Sequence, residues 1–267
     1  MDDKVVFQPN GYVKMTSTFS ETDIQCKPIA NTDAFFVGPL DLPQAELPKG
    51  CMHPHSSVMH NAVCGAIWNN GSHENIGLCV VPMFHINAWC IPYAALIAGT
   101  KLVLPGPKLD GPSLYELMDS EQVTISAGVP TIWMGLIQHV EQNNLRFAHM
   151  KRTCVGGSAM PMALIAKFMD TYGVEVRHGW GMTETTAVAT MSLLTRTDRQ
   201  KPAADQHAIV AKQGRAVSGI GINIVDENGA TLPRDGASQG ELMVRGQWIV
   251  ERYFKADKTA LVDGWFP

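Results

Sequence analysis

The apolar positions of this chain change rhythm twice. Before residue 50 they show little periodicity, and turn formers break every run ("QPNGY", "VGPLDLPQAELPKG"). From Ile76 onward, short unbroken apolar runs alternate with segments whose apolar residues recur at helical spacing. "IGLCVVPMF", "TKLVLP", "VTISAGV", "RTCVGG" and "VEVRHGW" read as strands. "NAWCIPYAALIAG", "GPSLYELMDSEQ", "PTIWMGLIQHVEQN" and "MPMALIAKFMDTYG" read as helices. Pro130 opens the third of these, in the first turn, where a missing N–H costs nothing. Strands alternating with helices predict parallel βαβ units around a buried sheet. Beyond about residue 195 no helix is expected. "GINIVDENGATLP", "GELMVRG" and "QWIVERYF" predict short alternating strands with turns at "ENG" and "RDG".

The expected fold class is therefore α/β: a mostly parallel sheet with flanking helices, followed by a β-rich subdomain. Its expected parts are a poorly defined segment over residues 1–49, an α/β part over 50–195 and the β-rich part over 196–267. A polar link, "LTRTDRQKPAADQ", joins the last two.

Composition narrows the function classes. Among 267 residues, 45% are apolar and 17% charged, enough for a sizeable core and against global disorder. A net charge of −4 without a basic block argues against a nucleic-acid partner. "CIPYAALIAG" is too short to span a bilayer and contains a proline, so no integral membrane segment is expected. "MDDKVVFQPN" lacks the apolar core of a signal peptide. Six cysteines without a CxxC pair suit reduced thiols in the cytoplasm.

Ligands of open α/β sheets bind beyond the carboxyl ends of strands, and two glycine-marked segments fall there. In "GGSAMP" (156–161), Gly156 and Gly157 allow close backbone approach, and Ser158 is placed to cap a helix begun by Pro161. Alone, this is an ordinary turn and cap. In "HGWGMTE" (178–184), Gly179 and Gly181 flank Trp180, leaving its ring free to stack on a flat ligand. Thr183 offers a hydroxyl to a phosphate, and Glu184 a hard oxygen to Mg²⁺. Alone, Thr-Glu is an ordinary helix start; the two segments at consecutive strand ends weaken that view. His53 and His55 in "HPHSS" have no partner pair at metal-ligand spacing. "VGGSAM" suggests a nucleotide-dependent oxidoreductase but lacks GxGxxG and the acidic residue of the next strand.

Together these segments resemble the AMP-forming acyl-CoA synthetases of the adenylate-forming superfamily. "HGWGMTE" is similar to their adenylate motif, "GGSAMP" to the loop before it, "VPMFHINAW" to their acyl-pocket segment and "AGVPTIW" to a helix start. "QGRAVSGIGINIVDENGATLP…GELMVRG" and "DGWFP" resemble the family's β-rich region, in order. The match runs from about Pro48 to Pro267, closest in wording to the medium-chain and methylthio-acid branch. The resemblance implies that Trp180 stacks on adenine, with Gly157, Ser158 and Ala159 beside it and His178 near the base. Gly179, Gly181 and Met182 complete that loop. Thr183 would hold the α-phosphate and Glu184 the Mg²⁺, making these two the catalytic pair. His85 and Trp89 would line the way to the acyl group. Met83, Phe84, Trp89 and Trp133 suit an apolar tail, though such residues are equally ordinary core. The implied substrates are a carboxylic acid, ATP and coenzyme A.

Two departures temper this expectation. The family's Ser/Thr/Gly-rich triphosphate loop precedes Pro-Lys-Gly; here Lys49 follows "VGPLDLPQAE", which lacks both glycines for close approach and hydroxyls for phosphate. The sequence also stops before the family's Thr-Gly-Asp and C-terminal domain, so a chain truncated at both ends with impaired turnover is expected. A non-catalytic adenylate- or acyl-binding relic is the alternative.

Overall fold

The computed structural model describes residues 50–267 and the backbone of three short strands before them, β1 (Val5–Phe7), β2 (Val13–Met15) and β3 (Ala34–Val37). β1 pairs with β2, and β3 with β4 (Cys51–Pro54), both antiparallel. Lys49 and the run before it lie outside the described residues.

The central sheet has seven strands. β5 (Ile76–Cys79), β6 (Lys101–Val103), β7 (Ile125–Gly128), β8 (Arg152–Val155) and β9 (Glu175–Trp180) are parallel, in spatial order β9-β8-β7-β5-β6. β10 (Thr190–Met191) and β11 (Arg215–Ala216) extend it antiparallel beyond β9. This is the mostly parallel α/β sheet expected from the alternating pattern. Successive side chains point to opposite faces, and both faces are covered. Leu78, Val155 and Val176 join one core with the helices α4 (Gly111–Ser120), α5 (Pro130–Gln142) and α6 (Met162–Ala166). Cys79, Ala127 and Cys154 face the other side with the helix α3 (Ile91–Ala98). Against α3 packs α1 (His55–Trp68).

Local chemistry explains the helix starts. Asp110 Oδ1 accepts from the Ser113 N–H at 2.9 Å at the head of α4, and Pro130 sits in the first turn of α5. Four expectations need correction. The segment "NAWCIPYAALIAG" is not one helix. Its start, α2 (Ile86–Trp89), is a left-handed turn, with φ of +47° at Asn87 and +54° at Ala88, and the right-handed helix begins only at Ile91. Helices do not stop at residue 195: α7 (Ala203–Ala211) begins in the last residues of the expected polar link and buries Val210 in the main core. Its buried face is His207 and Val210, with exposed alanines around them, which gives little contrast in sequence. "QWIVERYF" is no strand. Trp248, Ile249 and Val250 are buried, but the Ile249 and Val250 N–H groups bond to the Gly246 and Glu184 carbonyls, and only an isolated bridge joins Tyr253 to Cys51. Ser158 caps nothing: Pro161 is the N-cap of α6, without a side-chain bond.

The hairpin β12 (Ile220–Val225) and β13 (Glu241–Gly246) forms as expected, with Asp226 and Asp235 building the two turns at Gly229 and Gly236. Its Ile220 and Val244 join one core with Trp248, Val250 and Phe266 and with Ala189 and Val217 beside the sheet edge.

Candidate functional site

The register Val155↔His178 puts the carboxyl ends of β8 and β9 side by side. Two loops leave there together, residues 156–161 and 181–187. Gly157 has φ of +78°, a conformation that disfavours a side chain. At Gly156 a Cβ would press on the Trp89 ring at 3.3 Å. At Gly181 a Cβ would overlap the Ala187 carbonyl, so the turn after Trp180 admits only glycine. Gly157, Ser158 and Ala159 are exposed.

Thr183–Thr185 is a single 3₁₀ turn. Thr185 Oγ1 closes it, accepting from Met182 N–H at 2.9 Å and donating to Met182 O at 3.0 Å. Thr183 and Glu184 are half-buried, with Met182 more open. The Glu184 carbonyl accepts from Val250 N–H at 2.8 Å, and its carboxylate Oε1 accepts from the Tyr253 hydroxyl at 2.8 Å. Burial, then the neighbouring Glu184, raises the Tyr253 phenol above its ordinary value. Burial also pushes the Cys51 thiol up to about 12, and Glu184 adds to the effect. The side chains facing the Glu184 carboxylate are thus a phenol and a thiol.

Behind the turn, Thr186 (φ +46°) donates its hydroxyl to the Trp248 carbonyl at 2.6 Å and meets His53 Nδ1 at 3.0 Å. His53 is wholly buried, and its Nε2 has no hydrogen-bond partner. Burial lowers its pKa; the Thr183 carbonyl and Glu184 oppose that shift in part. His55 is exposed at the head of α1. Among the described residues, no three His, Cys, Asp or Glu side chains cluster as a metal site.

The expected site residues separate into three groups. Gly157, Gly179, Trp180 and Gly181 line one cavity of about 160 Å³, as does Trp89, while Thr183 and Glu184 stand just past its rim in sequence. Trp180 also packs partly against the β-rich core, so its ring is half-buried. His178 does not line the cavity. It is fully buried, with Nδ1 3.2 Å from the Val210 carbonyl and Nε2 3.3 Å from the Ser158 carbonyl, and so ties α7 to the 156–161 loop. Trp133 is core under the opposite face of the sheet, edge-on to Phe168. Met83, Phe84 and His85 are exposed and outside the cavity. Sequence reasoning missed Tyr253, Thr186 and Cys51, and took His53 only as a metal candidate. Tyr253 bonds across 69 residues and His53 across 133, so no local spacing marks them.

A single half-buried carboxylate with one oxygen already bonded suits Mg²⁺, which commonly uses one or two carboxylates and takes its remaining ligands from phosphates and water.

Comparison with known proteins places these features in context. The family pattern described as "AMP-binding enzyme" matches residues 47–254. The chain is 41% identical over 222 residues to a 3-methylmercaptopropionyl-CoA ligase of Ruegeria lacuscaerulensis. It is 42% identical over 222 residues to a medium-chain-fatty-acid–CoA ligase of Ectopseudomonas oleovorans. Each match covers 82% of this chain but only 41% of the relative, so the chain spans about two fifths of their length. Among solved structures, the N-terminal domain of FACL13 from Mycobacterium tuberculosis is similar in fold, with a TM-score of 0.74 at 24% identity, covering 92% of this chain and 58% of that one. Among the described residues, no helix is long and apolar enough to cross a membrane.

Proposed function

The chain belongs to the AMP-binding enzyme family, and from that premise we propose that it takes part in activating an apolar carboxylic acid with ATP and coenzyme A. In the first step the carboxylate attacks the α-phosphorus of ATP and pyrophosphate leaves. In the second the coenzyme A thiol attacks the acyl carbonyl and AMP leaves. The observation that carries this reading is the Thr183–Glu184 turn, tethered at 2.8 Å through Tyr253 and set beside the Gly156–Gly157 loop on the adjoining strand end. Such chemistry asks for positioned donors and charge stabilisation, not a covalent protein group.

In this reading, Thr183 donates to the α-phosphate and Glu184 is the protein's ligand to Mg²⁺. The metal, when bound, neutralises phosphate charge. Gly157, Ser158, Ala159 and Trp180 flank the adenine, Gly179, Gly181 and Met182 shape its loop, and His178 positions that loop from behind. Trp89 lines the approach of the acid. Two commonly associated traits, a role in fatty-acid metabolism and a cytoplasmic setting, are part of the same proposal.

Acid-dependent ATP–pyrophosphate exchange by the 267-residue chain tests the proposal. We expect exchange that Thr183→Ala and Glu184→Gln each reduce by about 10²–10³-fold, the usual cost of losing one preorganised group at developing charge. A folded chain that binds AMP but shows no exchange would support the alternative, a binding domain without the chemistry.

A further inference from the structure

His178 faces two carbonyls at once. Nδ1 lies 3.2 Å from the Val210 oxygen and Nε2 lies 3.3 Å from the Ser158 oxygen, and the ring is wholly buried. A neutral imidazole carries one N–H, and its other nitrogen is a bare acceptor. In that form one of the two contacts sets a lone pair against a carbonyl oxygen. Only the imidazolium, with two N–H groups, donates to both. We infer that His178 is a positioning residue whose second proton closes a clasp between α7 and the 156–161 loop, so that proton uptake tightens the hold on an adenine ring. The adenine rests on the function proposed above; the clasp rests on the ring and its two partners alone.

Both oxygens need a donor. Val210 lies in the last turn of α7, where carbonyls have no partner within the helix. Ser158 precedes α6, and the first bonds of that helix, from Leu164 and Ile165, go to the Pro161 carbonyl instead. Among the described residues, no other hydrogen bond reaches either oxygen. The carboxyl end of a helix also carries partial negative charge, which favours a cation beside it. Gly157, Ser158 and Ala159 are exposed, so the Ser158 carbonyl is what ties their backbone inward.

The surrounding charges are few. α7 carries His207, bonded to Asp170 at 3.0 Å, and an exposed Asp205, with Lys212 exposed at its end. On the strands, Arg177 and Arg152 bond the Trp68 and Asn70 carbonyls at the end of α1, across the far face of the sheet. Glu175 pairs with Arg177 and Arg199. β10, α6 and the 156–161 loop carry no ionisable side chain. The group on the near face that could imitate the effect is therefore His207, one turn before Val210 on α7.

The test follows the imidazole nitrogens of the 267-residue chain by nuclear magnetic resonance, from about pH 5 to about pH 8, where histidine changes charge. His178→Gln, which does not titrate, identifies the signal. We expect both nitrogens of His178 to carry protons at the acid end and one at the other. The backbone N–H groups of Ala159 and Ala211, which follow the two carbonyls, should shift with the same midpoint. His207→Gln should keep that coincidence, and His178→Gln should lose it. If His178→Gln does not fold, the shared midpoint in His207→Gln carries the comparison. A ring that holds one proton throughout, or amides that do not follow it, would overturn the clasp. Adenosine, which has no phosphate to titrate, then probes the loop through tryptophan fluorescence. Its affinity should fall about fivefold across the same range, the value of one net hydrogen bond. Binding that ignores pH would overturn the link from clasp to ligand. Coincident shifts without adenosine binding at any pH would refute the adenine reading and leave the clasp standing.

Discussion

At the scale of single residues, the candidate site rests on uncharged support for one carboxylate. Tyr253 reaches Glu184 from a distant segment, and its ring stacks edge-on against Phe266. Tyr253→Phe removes the hydroxyl but keeps the ring. A hydrogen bond to a charged group contributes about 1.5–3 kcal/mol, so we expect a loss at or below that range in urea unfolding, because the pair is not fully buried. The sharper expectation concerns Mg²⁺: the concentration for half-maximal exchange should rise in Tyr253→Phe. Phe266→Leu, which disturbs the ring contact and core packing but leaves the Tyr253 hydroxyl in place, should lower stability without moving it. The residues that could be read from sequence were those whose chemistry is local. Glycines around an aromatic, followed by Thr-Glu at a strand end, form a short pattern. Tyr253, Thr186 and His53 act across long separations, and Trp133 looked like pocket lining only because an apolar aromatic suits either role.

At the scale of elements, every parallel strand could be located from sequence; β5 is a short apolar run, whereas β8 and β9 carry buried polar residues and are placed by their position between helical segments. Hydrophobic rhythm failed where apolar contrast is weak or two-sided. α1 buries Val58 and Ala62 yet exposes Met59, Val63 and Ile67, so no single stripe marks it. It failed again at α2, where positive φ persists over Ile86–Cys90 without a glycine. Left-handed backbone costs roughly 1–2 kcal/mol for each non-glycine residue. Two buried alanines make that cost measurable. Ala88, at φ +54°, and Ala95, in right-handed α3, are both almost inaccessible to solvent. Ala95→Gly should destabilise the chain by about 1 kcal/mol or more, from helix propensity and a lost methyl. Ala88→Gly loses a similar methyl but relieves the backbone, and should fall within about 0.5 kcal/mol of the parent. Chemical denaturation of both variants decides the matter, and equal losses would refute the strained turn.

At the scale of the whole molecule, the segment between the sheet and the β12–β13 hairpin is anchored by Asp198. Its carboxylate accepts from Lys201 Nζ at 2.7 Å, Thr195 Oγ1 at 2.6 Å and Thr195 N–H at 3.1 Å. The Lys201 and Thr195 donors hold it well below the ordinary carboxylate range. A carboxylate depressed in the folded state adds stability that is present above its unfolded pKa of about 3.9 and disappears as pH falls through the folded value. Asp198→Asn should therefore be less stable than the parent at pH 7, and the gap should narrow as melting is followed toward strong acid. The segment leads into α7, whose Val210 carbonyl meets His178, so the anchor bears on the candidate loops as well. The Glu184–Tyr253 bond has a further consequence, in time. On a growing chain, all five parallel strands and the Thr183–Glu184 turn have been made before Tyr253 is added. Closing that long interval comes at an entropic cost that local helix contacts do not share. The hydrophobic core around the parallel strands can thus consolidate first, with the Glu184 carboxylate still untethered until Tyr253 arrives.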